Sequence, residues 1–106
     1  MNLVELAKSL IEINTEVPPG NEELCARYIR EVLSDMHADG AELSVERFEH
    51  GRANLVAGFG PSEPGLLLGG HMDVVPAEGE SAWAHPPFEG VTDGGRPCRP
   101  RGGLPR

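Results

Sequence analysis

Apolar residues recur at helical spacing in the first stretch of the chain: Leu3, Leu6, Ala7, Leu10, Ile11 and Ile13, with charges between them. This predicts a first helix over about residues 2–14. Pro18, Pro19 and Gly20 break any continuation, and Asn21 with Glu22 and Glu23 predicts an N-cap followed by acidic first-turn residues that the helix dipole favours. A second helix is expected to run to about residue 39, burying Cys25, Ile29, Val32, Leu33 and Met36, with Gly40 as its stop. The period then changes to two: Ala41, Leu43 and Val45 alternate with Glu42, Ser44 and Glu46, so a half-exposed strand is predicted over about 41–49. A turn at His50, Gly51 and Arg52 leads to a second strand over about 53–59, and a loop of breakers occupies 60–65. Leu66, Leu67 and Leu68 follow without alternation, which predicts a third strand buried on both faces within an α/β sheet covered by helices. From 76 to 95 the chain reads as loop, anchored by Trp83, Pro86, Pro87 and Phe88.

Composition narrows the class. A chain of 106 residues with 39% hydrophobic and 25% charged residues has the make-up of one modest globular domain with a mainly aliphatic core. The net charge of −8 argues against nucleic acid as a partner, because phosphate binding needs a basic face. Residues 1–95 carry −12, since the last eleven positions hold four arginines and no acid. Cys25 and Cys98 show no metal or redox spacing, so a reduced, cytoplasmic setting is expected. Glu5, Lys8 and Glu12 interrupt the apolar N-terminus, which therefore lacks a signal-peptide core, and no apolar run is long enough to span a bilayer.

Ligand sites in α/β sheets lie at the carboxyl ends of strands, which singles out His71 and Asp73 just after the leucine run. Residues i and i+2 of a strand share a face, about 6.6–7 Å apart, and Gly69 and Gly70 leave room for another backbone or a ligand. A histidine oriented by a carboxylate is the usual arrangement at a metal, with His71 as ligand and Asp73 fixing its tautomer. The same pair also reads as an ordinary hydrogen-bonded histidine. His85 is assigned a loop or packing role, His37 and His50 solvated element ends, and Cys25 a core position. Glu22 and Glu23 read as helix-start charge, and Glu78 and Glu80 as a solvated loop.

The run over 66–88, LLLGGHMDVVPAEGESAWAHPPF, resembles the metal-binding strand and following loop of the M20 metallopeptidase family, which includes acetylornithine deacetylase, succinyl-diaminopimelate desuccinylase and aminoacylase-1. The residues that carry the resemblance are Gly70, His71, Asp73, Val75, Pro76, Trp83, Pro87, Phe88, Asp93 and Gly94. The two helices, Asn14, Thr15 and the junction at 18–23 also look like that family's N-terminus, so the resemblance covers about residues 1–95. It implies the start of a three-layer αβα zinc-peptidase-like catalytic domain, two helices then three strands, truncated. It implies a two-zinc amidohydrolase, with cobalt as the alternative metal, acting on small N-acyl amino acids or peptides. In such enzymes a bridging water attacks the amide carbonyl while a glutamate acts as base. His71 carries over as a metal ligand, and Asp73 as the carboxylate of the catalytic centre that positions it. The family is often homodimeric through an inserted domain.

In the family, Asp-Gly-Arg leads into Gly-Arg-Gly and a bridging aspartate. This chain instead reads Asp93, Gly94, Gly95 and then an Arg- and Pro-rich stretch over 96–106 with one aliphatic side chain, expected to form neither strand nor core. The bridging aspartate, the catalytic glutamate, the remaining ligands and the inserted domain are missing, so this chain is expected to be inactive alone. The alternative is a non-catalytic interaction protein that docks on a full-length homologue. A third reading is a single-metal protein using His71 with His85. The 96–106 stretch is read, as a hypothesis, as an out-of-frame translation. Shifting the reading frame by one nucleotide near codon 95 of the gene is expected to restore the aspartate motif, and sequencing that shows no such motif in either shifted frame refutes it.

Overall fold

The computed structural model describes residues 2–36, 40–61, 65–77 and 85–97. These fall into two compact units: residues 20–73, and residues 1–19 with 74–106.

The 20–73 unit is a helix packed on a hairpin. Helix α2 spans Glu22–Asp35, strand β1 Glu42–Glu49 and strand β2 Arg52–Gly58. The strands are antiparallel, from Glu42 opposite Gly58 to Glu49 opposite Arg52, with a bulge between Arg47 and Glu49. The alternation read from the sequence holds: Leu43 and Val45 are half-buried while Glu42, Ser44 and Glu46 are exposed. α2 packs against both strands, and the buried apolar side chains among the described residues are small, namely Cys25, Ala26 and Ala53. Small residues at such a junction let helix and sheet backbones approach closely, and burial raises the pKa of the Cys25 thiol.

Helix α2 starts where expected, with Glu22 and Glu23 in its first turn. Asn21 occupies the cap position but makes no side-chain cap hydrogen bond. The amides it would have satisfied have other acceptors: Glu23 N–H donates to the Gly51 carbonyl (3.1 Å) and Leu24 N–H to the Asn21 carbonyl (3.0 Å). The Glu22 carboxylate, expected as helix-start charge and placed in the first turn, is also buried and grips Arg52 at the start of β2. Arg52 Nη2 donates to Glu22 Oε1 at 2.7 Å, and its Nε lies 3.1 and 3.2 Å from the two carboxylate oxygens. The Arg52 guanidinium also lies 5.4 Å from the Phe48 ring centroid. Glu23 bridges outward to Arg27 and Arg47. Met36, expected on the buried face, is exposed because it follows the last helical turn. The predicted end of α2 at 37–39 lies outside the described residues.

The third strand does not form. Among the described residues, no backbone hydrogen bond joins 65–73 to another element, and the side chains of Leu66, Leu67 and Leu68 are 83–93% exposed. Among the described residues β1 and β2 pair only with each other, and no strand neighbours the leucine run.

In the other unit, helix α1 spans Leu3–Glu12 and is capped by the Asn2 side chain, which accepts from Glu5 N–H at 2.8 Å. Thr15 and Val17 pair in parallel with Val74: Val17 N–H donates to the Val74 carbonyl (2.9 Å) and Val74 N–H to the Thr15 carbonyl (3.2 Å). The Glu16 carboxylate accepts from Ala77 N–H at 2.7 Å. A short hairpin, β3 (Thr92–Asp93) with β4 (Arg96–Pro97), turns at Gly94 and Gly95, both at positive φ. The stretch from residue 96 was expected to form no strand. Its first two residues pair because the glycines supply the turn, and residues 98–106 lie outside the described set. Pro87 is buried and Phe88 half-buried, in keeping with their anchoring role, whereas Pro86 is exposed and Trp83 lies outside the described residues. Gly90 seats against α1, where an added Cβ would meet the Lys8 carbonyl at 3.0 Å.

Two outcomes are expected. The bond to Arg52 holds the Glu22 carboxyl below the ordinary glutamate range, against the opposing effect of burial. The stability it contributes is therefore present above the unfolded value, about 4.3, and is lost as pH falls through the lower folded value. Urea titrations from pH 7 to pH 3 should show this loss, and Glu22→Gln should flatten it. Gly51→Ala should cost about 1–2 kcal/mol, because Gly51 has φ +74° and an added Cβ would stand 3.1 Å from the Gly20 carbonyl; an unchanged denaturation midpoint would contradict this packing.

Candidate metal half-site

His71 and Asp73 sit at the end of the exposed leucine run, in the 20–73 unit. His71 Nδ1 lies 2.9 Å from the Asp73 carbonyl oxygen and 3.3 Å from Asp73 Oδ1. Both neighbours are acceptors, so the proton belongs on Nδ1 and the lone pair on Nε2. That tautomer presents Nε2 as a ligand atom, with its ring aimed by Asp73. The side chains are 71% and 48% exposed, so bulk water competes for both. Gly69 and Gly70 stand in open space, with no heavy atom within 4 Å of an added Cβ.

The structure thus brings the two sequence-derived site residues together, but among the described residues no three His, Cys, Asp or Glu side chains gather to hold a metal ion. A catalytic zinc site takes three protein ligands and keeps a fourth position open. The described residues therefore do not fit a complete zinc site. His85 is half-buried in the other unit. His50 is exposed, with its Nδ1 2.9 Å from Arg47 Nη2, and Glu78 and Glu80 lie outside the described residues.

Arg52 is the residue that sequence reading passed over. Its pKa is raised, first by the hydrogen bond to Glu22 and further by the charges of Glu22, Glu49 and Asp73. Asp73 therefore lies within the field of the same guanidinium that holds α2 to the hairpin. The only sequence signal for it was its place directly after the turn glycine. Among the described residues, no helix is long and apolar enough to cross a membrane.

Comparison with known proteins finds relatives that share one name. The chain is 36% identical over 86 residues to a probable succinyl-diaminopimelate desuccinylase of Staphylococcus aureus, covering 81% of this chain and 20% of that protein. It is 37% identical over 90 residues to the probable succinyl-diaminopimelate desuccinylase of Staphylococcus epidermidis, covering 85% and 21%. Against the succinyl-diaminopimelate desuccinylase of Hydrogenovibrio crunogenus it is 33% identical over 90 residues, covering 85% and 22%. The chain spans about a fifth of the length of these curated relatives. No protein-family model matches the chain, and no solved structure does.

Proposed function

We propose that these residues are the N-terminal part of an M20-type metal-dependent hydrolase that cleaves an amide bond in N-acyl amino acids or peptides, inactive in the 106-residue chain alone. The observation that carries the reading is the similarity to succinyl-diaminopimelate desuccinylases over four-fifths or more of this chain. The contact between His71 and Asp73 supports it, because it leaves Nε2 as a donor for zinc or cobalt. Asp73 acts through His71 as a positioning residue. The proposed compartment is the cytoplasm, and the proposed substrates are small molecules.

A chimera tests the reading. Residues 1–95 would replace the matching stretch of the Hydrogenovibrio crunogenus relative, and hydrolysis of succinyl-diaminopimelate would be followed with added zinc. Activity is expected in the chimera and not in the 106-residue chain. His71→Ala should abolish it, and Asp73→Asn should lower metal affinity or activity about 10- to 100-fold. A chimera whose activity is unaffected by His71→Ala would refute the assignment.

A further inference from the structure

We propose that Glu16 is a positioning residue for His71, acting through the single peptide group that joins Asp73 to Val74. The carbonyl of that group faces the His71 ring, with Nδ1 at 2.9 Å, while its N–H donates to the Thr15 carbonyl at 3.2 Å. The proposal rests on the hydrolase reading for the purpose that His71 serves, and on the hydrogen bonds alone for its geometry.

A peptide group is planar, so its C=O and N–H point in opposite directions and turn together. Fixing the Val74 amide therefore fixes the direction of the Asp73 carbonyl. The two are joined through one peptide bond, so this coupling needs no packing between elements. The segment that holds the amide is itself braced. Val17 N–H donates to the Val74 carbonyl at 2.9 Å, which closes an isolated parallel bridge centred on Glu16. The Glu16 carboxylate accepts from Ala77 N–H at 2.7 Å, a charge-assisted bond across 61 positions of chain. Asn14 steadies the carboxylate from the other side: its Oδ1 accepts from Glu16 N–H and its Nδ2 donates to Glu16 Oε1, both at 2.9 Å. Glu16 thus supplies the side-chain part of a clamp on 74–77 whose backbone part holds Val74. Two backbone bonds standing outside a ladder open readily on their own, and the carboxylate adds to their hold. On the imidazole side, the backbone carbonyl of Asp73 is the closer acceptor. The Asp73 carboxylate lies 3.3 Å from Nδ1, beyond the usual range for an N–H donor, and is 48% exposed to competing water. The contact between His71 and Asp73 is local, but the peptide plane that supplies its acceptor is held from residues 14–17.

The test reads the His71 tautomer in the 106-residue chain from its ring nitrogen-15 shifts, at about pH 8, where histidine is ordinarily neutral. The signal is assigned as the one that His71→Gln removes. In the parent chain the proton is expected mainly on Nδ1. Glu16→Ala should shift the tautomer ratio toward Nε2–H at least about 3-fold and speed exchange of the Val74 amide at least about 10-fold, with the amides of β1 and β2 unchanged. Glu16→Gln keeps an oxygen that can accept from Ala77 N–H, and should restore most of the parent ratio. Asn14→Ala leaves 74–77 untouched and should move both readouts in the same direction by less, which gives a second variant should Glu16→Ala not fold. The tautomer is read without metal, so an inactive desuccinylase chimera would sink the proposed function and leave the positioning role standing. Three results would overturn the proposal: a parent ring without an Nδ1–H majority, a ratio unchanged in Glu16→Ala while the Val74 amide exchanges faster, or a ratio that moves in Asp73→Asn alone.

Discussion

The carboxylate of Glu22 and the guanidinium of Arg52 join the first residue of α2 to the first residue of β2, with both groups largely withdrawn from water. Their hydrogen bonds satisfy a buried charge that would otherwise be costly, and they fix the angle at which the helix meets the hairpin. The Glu23 amide on the Gly51 carbonyl adds a backbone bond at the same corner, and Gly51 can come close because it has no Cβ. The rest of the unit follows from that corner. Cys25, Ala26 and Ala53 are buried because helix and sheet are drawn close there, and no large side chain is fully buried anywhere among the described residues. A core of this size leaves the ion pair and the turn as the features that choose one arrangement over others.

The same corner bears only weakly on the half-site. Asp73 is the smallest of the charges that raise the Arg52 pKa, behind Glu22 and Glu49. Beyond Gly58 the chain leaves the hairpin, and the leucine run is neither paired nor covered. The geometry of His71 with Asp73 is therefore local: it is made by two residues two positions apart, not by packing from a surrounding sheet. Local geometry sets the tautomer and the direction of Nε2. It cannot exclude water or bring up further ligands, and those are what a hydrolytic metal centre requires.

What could be read from the sequence follows the range of the interactions. Both helices and the hairpin are governed by local periodicity and by Gly51, and they were placed to within a few residues. The pairing of His71 with Asp73 was legible for the same reason. The third strand was not, because burial of Leu66, Leu67 and Leu68 depends on neighbours that periodicity cannot show to be present. The place of Glu22 at the helix start is local and legible, whereas its bond to Arg52 is not, because that partner lies thirty positions away. The hairpin at Thr92–Asp93 and Arg96–Pro97 escaped notice because its signal is two glycines in a stretch otherwise marked by arginine and proline.

Our central claim is that His71, which we propose as a metal ligand, is one oriented imidazole, and that the described residues do not gather the three side chains a metal centre takes. Calorimetric titration of the 106-residue chain with zinc tests it most directly. The account predicts no binding tighter than about 1 µM, with whatever weak heat is observed lost in His71→Ala. One-to-one binding well below that concentration would contradict it, since such affinity needs ligands that the half-site does not supply.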